Sequence, residues 1–246
     1  MVHWCLGMYS SGSTWAYNVT RQIAASVVPA KPVQGRFVWS SVLDLDALCR
    51  SDRTHIIKSH EIDGEPTVAE ISRRADAIII TIRDPRDAVT SFMLYQDRNF
   101  EESVSLVEKS ARLCARFCGD HRSLLLRYEA GFIDDIRTLD RIADTFHEPL
   151  TTTDRARIFA SSRRTAIEAF ITTELPRRQD KLINTQRPGH FADPVTHWHT
   201  HHAGRTGEIG RWRQMLTEEQ VLEVERLLGD WMDRFSYSRY AARPPV

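Results

Sequence analysis

Val2-His3-Trp4-Cys5-Leu6-Gly7-Met8-Tyr9-Ser10-Ser11-Gly12-Ser13-Thr14-Trp15 decides the fold. Val2 to Met8 is a mostly apolar run, and Tyr9 to Gly12 is made of turn formers. From Ser13 to Val27 the apolar residues return at helical spacing as Trp15, Val19, Ile23 and Val27. Strand, tight loop and helix therefore begin almost at residue 1. Gly7 to Thr14 has the spacing of a phosphate-binding loop, G-x-x-x-x-G-K-[ST], with Ser13 in place of the lysine. A strand that turns through glycine into a helix start aims several backbone N–H groups and the positive end of a helix dipole at one spot. Ser10, Ser11, Ser13 and Thr14 add hydroxyls, so an oxyanion suits the loop; by itself the loop is equally a Ser/Gly turn capping a helix.

The pattern recurs outward. Thr54 to Ile57 and the β-branched Asp76 to Ile82 are strand-like, and Asp84-Pro85 supplies an N-cap and a first helical proline. Phe100 to Cys118 predicts an amphipathic helix, Ser123 to Arg127 a strand, and Phe132 to His147 a helix. Residues 151–176 read as helical, and Thr217 to Phe235 as a closing helix opened by Thr-Glu-Glu. Alternating strands and helices predict an α/β protein, a single domain over 1–246 whose central parallel sheet is flanked by helices. Sites in such folds gather at the carboxyl ends of the strands. Residues 186–210, with Pro188, Pro194, four glycines and five histidines, predict an irregular lid-like loop.

Composition bounds the partners. The 246 residues are 41% hydrophobic and 27% charged, with 33 basic residues balanced by 33 acidic ones. No global field attracts nucleic acid or an anionic membrane, and an anion site must be a local cluster. The longest apolar runs, such as Ala77 to Ile80, are far short of a membrane span. Four cysteines (Cys5, Cys49, Cys114, Cys118) make no disulfide framework, and no secretory leader opens the chain, so a cytoplasmic setting is expected.

Three further clusters follow strands. Lys58-Ser59-His60 sets one of only four lysines two residues before a histidine, pairing a cation with a titratable base. Arg83-Asp84-Pro85-Arg86-Asp87, with Ser91 eight residues after Arg83, offers a guanidinium and a hydroxyl for a second phosphate, or an Arg83–Asp87 pair. Arg205-Thr206-Gly207, followed by Gly210 and Trp212, suits close backbone approach to a phosphate, or an exposed turn.

Together and in this order, the four clusters resemble the sulfotransferases that use 3′-phosphoadenosine 5′-phosphosulfate (PAPS), and they span residues 7 to 217. The resemblance implies the P-loop-like sulfotransferase fold and PAPS as co-substrate. It implies that Ser10, Ser11, Gly12, Ser13 and Thr14 grip the 5′-phosphosulfate, with Trp15 against the adenine. Arg83 and Ser91 would hold the 3′-phosphate, Tyr128 would touch the nucleotide, and Arg205, Thr206 and Gly207 would fold over it. Lys58 would sit at the sulfuryl group, with His60 as general base toward a hydroxyl of a small-molecule, carbohydrate or lipid acceptor. A transferring sulfuryl group carries less charge than a phosphoryl group, so no metal is required.

Two positions depart from the family. A lysine that assists the leaving oxygen usually stands where this chain has Ser10, and a second basic residue where it has Thr206. Lys58, Arg86 or Lys181 are the candidates to replace the first. The alternatives are a P-loop-type small-molecule or nucleotide kinase, opposed by the missing lysine, and a catalytically weakened nucleotide-binding relic. His190, His197, His199, His201 and His202 read as a lid over the acceptor pocket or, alternatively, as a zinc or nickel site, the alternation placing three of them on one side of an extended segment. Acceptor specificity is expected in residues 29–41, in 151–185 and in the His-rich loop, with Trp39, Phe170 and Phe191 as an aromatic wall.

Overall fold

In the computed structural model, which describes residues 1–38, 52–96, 98–184, 191–202 and 207–240, five strands form one sheet: β1 (Val2–Gly7), β2 (Val33–Phe37), β3 (Thr54–Ser59), β4 (Ala77–Ile82) and β5 (Ser123–Arg127). Their spatial order is β2-β3-β1-β4-β5 and every neighbouring pair is parallel. The α/β architecture with a central parallel sheet is thus observed. β1, β3 and β4 are buried along their whole length, as strands covered on both faces must be.

Side-chain alternation distributes the core. Trp4 and Leu6 of β1, with Ile78 and Ile80 of β4, face one apolar layer, while Cys5 and Ile79 face the other. The helices are α1 (Ser13–Val27), α2 (Glu65–Arg74), α3 (Pro85–Gln96), α4 (Phe100–Phe117), α5 (Arg137–Asp144), α6 (Thr152–Ser162), α7 (Arg164–Ala169), α8 (Trp212–Met215) and α9 (Glu218–Arg234). α4 and α9 pack Val107, Ala111, Val224 and Leu228 into the first layer; α1, α5 and α6 pack Val19, Ile23, Ile142 and Ile158 into the second. The expected start signals are in place. The Asp84 carboxylate accepts the Arg86 N–H (2.9 Å) ahead of Pro85, and Thr217 and Gln220 form a reciprocal capping box on α9.

Several elements differ from expectation. β2 is an added edge strand, and α2 an added helix opened by Pro66. The helix expected over 132–147 shortens to α5, because Asp135 caps from within by accepting the Arg137 N–H (3.0 Å) and His147 closes in a left-handed conformation (φ 59°). Residues 151–176 break at the extended Arg163 and end in a π-helical turn, Phe170–Glu174. The expected lid holds β7 (Phe191–Ala192), which pairs antiparallel with β6 (Ile183–Asn184) ahead of it, and a 3₁₀ turn over Thr200–His202. The segment 197–202 is therefore turned rather than extended.

Register fixes where chemistry sits. Leu6 pairs with Ser59 and Gly7 with Thr81, so Gly7, His60 and Arg83 emerge at the same carboxyl edge, where β3 and β4 part on either side of β1.

Candidate active site

The first loop is a tight turn with two consecutive demands on the backbone. Ser10 (φ 57°) and Gly12 (φ 85°) are both left-handed. At Gly7 a Cβ would collide with Ser13 and Thr81, so only glycine lets α1 start so close to β1. No side chain caps α1, and its amino end faces a cavity of about 740 Å³ lined by Ser10, Gly12, Ser13, Thr14 and Trp15. Ser11 is not brought there. Its hydroxyl donates to the Met8 carbonyl (2.5 Å) and meets Thr81 Oγ1 (2.7 Å), so it braces the turn from beneath. Trp15 borders the cavity but is 2% exposed, and its indole N–H is committed to the Ser162 carbonyl (2.8 Å).

Lys58 and His60 stand together on the wall of that cavity. The Gly7 carbonyl can only accept, so His60 Nδ1, 2.7 Å away, carries the hydrogen and Nε2 keeps its lone pair. Lys58 Nζ lies 3.3 Å from that Nε2. Burial, then the neighbouring Lys58 cation, holds His60 well below the ordinary histidine range. Burial likewise lowers Lys58 to about 8, while its ammonium lies 5.1 Å from the centre of the Phe37 ring. Tyr9 stacks on the His60 imidazole (4.3 Å between centroids) and donates its hydroxyl to Glu61 (3.1 Å).

A second cation is mounted beyond the first loop. Arg83 donates to the carbonyls of Ser10 (3.3 Å) and Glu208 (2.7 Å), lies 4.5 Å above the Tyr128 ring, and has a buried Nε without a hydrogen-bond partner. It also pairs with Asp87 at 3.9 Å. The Asp87 carboxylate in turn accepts the backbone N–H groups of Gly210 (2.7 Å) and Trp212 (3.1 Å). Burial raises Asp87 above the usual carboxylate range against those donors. At left-handed Gly207 (φ 62°) a Cβ would run into the Tyr128 hydroxyl. Arg83, Ser91, Tyr128 and Gly207 all line the same cavity as the first loop, and Arg164 adds a guanidinium beside Gly207.

Arg205 and Thr206 lie outside the described residues, as do Trp39, Cys49 and His190 and the side chains of Lys181 and His201. Arg86 is removed as a stand-in for the loop lysine. It is buried in ion pairs with Asp84 and Glu225 (2.7 Å each) and stacks over Trp212, which anchors the chain's end rather than a ligand. Phe170 and Phe191 are not among the cavity-lining residues; Phe37, Phe92, Tyr95 and Trp198 are, together with Tyr9, Trp15 and Tyr128. His197, His199 and His202 line it too, and among the described residues no three His, Cys, Asp or Glu side chains converge as metal ligands. No helix among the described residues is long and apolar enough to cross a membrane.

Sequence reasoning missed Tyr9, Arg164 and the Asp87 latch on the late loop. Only Asp87 left a signal, its spacing of four from Arg83, which stands between β4 and the start of α3.

No protein-family model and no curated protein matches the chain. Solved structures do. A mouse sulfotransferase, SULT7A1, complexed with PAP, superposes with a TM-score of 0.61 at 15% identity, covering 94% of this chain and 84% of its own. Retinol dehydratase with androsterone and inactive cofactor PAP gives 0.58 at 15% identity, covering 99% of this chain and 82% of its own. Retinol dehydratase with retinol and PAP gives 0.57 at 14% identity, covering 99% and 83%. The fold that places these residues at one sheet edge is the sulfotransferase fold.

Proposed function

We propose that the protein is a PAPS-dependent sulfotransferase acting on a hydroxyl of a small-molecule acceptor. The observation that carries this reading is the convergence of two anion-binding ends in one cavity, with Lys58 and His60 on its wall. One end is the left-handed Ser10–Gly12 turn and the uncapped start of α1. The other is Arg83, whose buried Nε has no partner, with Ser91, Tyr128 and the glycine cradle at 207. A nucleotide phosphorylated at both 5′ and 3′ positions fits that donor set, and the PAP in the three superposed structures is such a molecule.

When bound, PAPS supplies the sulfuryl group: the acceptor oxygen bonds to sulfur as the bond from sulfur to the bridging phosphate oxygen breaks, releasing adenosine 3′,5′-bisphosphate. His60 Nε2 takes the acceptor's proton, its tautomer fixed by the Gly7 carbonyl. Lys58, the one described lysine on the cavity wall, neutralises charge on the departing phosphate in place of the family's loop lysine. The loop N–H groups and α1 hold the 5′ end, and Arg83 and Ser91 hold the 3′-phosphate.

The test is sulfate transfer from PAPS to a panel of phenols and alcohols. His60→Ala is expected to lose about two to four orders of magnitude in turnover while keeping PAP binding. Unchanged turnover removes His60 from the role.

A further inference from the structure

Away from the phosphate ends, His197 lines the cavity, and its Nε2 is buried without a hydrogen-bond partner. The segment that carries it is built firmly. The Asp193 carbonyl accepts the His197 N–H (2.8 Å), and the Asp193 carboxylate takes the Val195 N–H and the Thr196 hydroxyl (2.9 Å each). α1 grips the turn from outside, Asn18 donating to the Thr196 carbonyl (2.7 Å) and Arg21 to that of Val195 (2.9 Å). His197 itself is held left-handed (φ 55°), a conformation a histidine keeps only where its surroundings enforce it.

The ring so mounted lies 5.1 Å from that of Tyr17 and 5.6 Å from that of Phe37. Phe37 is also 6.1 Å from His60, so the two imidazoles flank one aromatic ring inside one cavity. Burial, then the Lys58 cation, lowers His197 to about 3, which leaves a neutral ring able to give one hydrogen bond and accept another.

We infer that His197 is a specificity-determining residue of the acceptor site. While His60 receives the reacting hydroxyl, His197 binds a second hydroxyl or carbonyl a few bonds away on the same molecule, and Phe37 contacts the apolar frame between them. The preferred acceptors are neutral and bifunctional, aromatic diols or hydroxycarbonyl compounds, rather than simple alcohols or phenols. A buried polar group left unpaired by a monofunctional acceptor is what gives such a site its discrimination. The inference rests on the sulfotransferase reading above.

The experiment compares 4-nitrocatechol with 4-nitrophenol, which differ by one hydroxyl, by calorimetry on PAP-loaded protein and by turnover with PAPS. Wild type is expected to bind the catechol about tenfold more tightly, the worth of one added hydrogen bond. His197→Phe should bind both alike, with KM for the catechol raised about tenfold, kcat within about twofold, and stabilisation by PAP unchanged. His197→Asn, which tolerates the left-handed backbone and keeps an amide, should restore part of the preference. Equal binding of the two probes by wild type, or a preference that survives in His197→Phe, overturns the inference while PAP binding keeps the parent reading standing. Failure of PAP to stabilise the wild type overturns both.

Discussion

Lys58 Nζ and His60 Nε2 are 3.3 Å apart, with the imidazole's other nitrogen tied to the Gly7 carbonyl. The cation that would serve the leaving phosphate therefore rests against the lone pair that would receive the acceptor's proton. One consequence is a pH profile. His60 is neutral at and below its ordinary range, so activity should hold on the acid side down past pH 6.5. Lys58, lowered to about 8 by burial, loses its charge as pH rises through that value. The ratio kcat/KM for PAPS reports the free enzyme and should fall above about pH 8, whereas kcat, reporting the loaded enzyme, should hold to higher pH because bound anions favour the ammonium. Lys58→Arg, with no comparable titration, should flatten the alkaline limb at lower activity. An alkaline limb unchanged in that variant separates it from Lys58.

Asp87 links the Arg83 guanidinium to the N–H groups of Gly210 and Trp212, with both charged side chains almost fully buried. Asp87→Asn leaves Arg83 without its counter-charge, which for a buried pair costs about 3–5 kcal/mol. The expected result is a lower melting temperature together with faster proteolysis near residues 207–212. An unchanged melting temperature would show that the latch contributes nothing.

Gly207 meets the Tyr128 hydroxyl so closely that any Cβ must push the two apart. Gly207→Ala also forces alanine into a left-handed conformation, at about 1–2 kcal/mol. PAP affinity should drop by about tenfold or more, and Tyr128→Phe in the same chain should recover part of it. Calorimetric titration with PAP measures both.

Ser10, which the sequence resemblance sets at the loop-lysine position of PAPS-dependent sulfotransferases, is left-handed and lines the cavity. Ser10→Lys should raise turnover with PAPS while changing stability by less than about 1 kcal/mol, since both side chains bear the same backbone strain. Turnover that stays level or falls would show that Lys58 already fills the role.

The parts of the fold that are readable from sequence are those where local signals agree. Val2–Gly7 and Ala77–Ile82 are apolar and fully buried, and Asp84-Pro85 and Thr217 begin their helices as their side-chain chemistry dictates. β2 reads V-Q-G-R-F, a short run with glycine at its centre, and exists because β3 offers its backbone and Gly35 lets the Tyr17 hydroxyl approach. The candidate site divides similarly. Lys58, His60 and Arg83 lie at or just past strand ends, Ser91 follows within α3, and the four are visible as spaced pairs. Ser11 is indistinguishable by type from Ser10 and Ser13, and only the left-handed turn at Ser10 rotates it onto Thr81. The stacking of Tyr9 on His60, and the mounting of His197 by α1, join residues far apart in the chain.

Thermal unfolding with adenosine 3′,5′-bisphosphate, ADP and ATP in parallel tests whether one cavity takes an adenosine carrying phosphate at both ends. At a hundredfold excess over Kd a selective ligand adds about 2.7 kcal/mol, several degrees in Tm for a chain of this size. Such a rise is expected with the bisphosphate, little with ADP or ATP with or without magnesium, and loss of the rise in Arg83→Ala. Equal or greater stabilisation by ADP or ATP, or none by the bisphosphate, would contradict it.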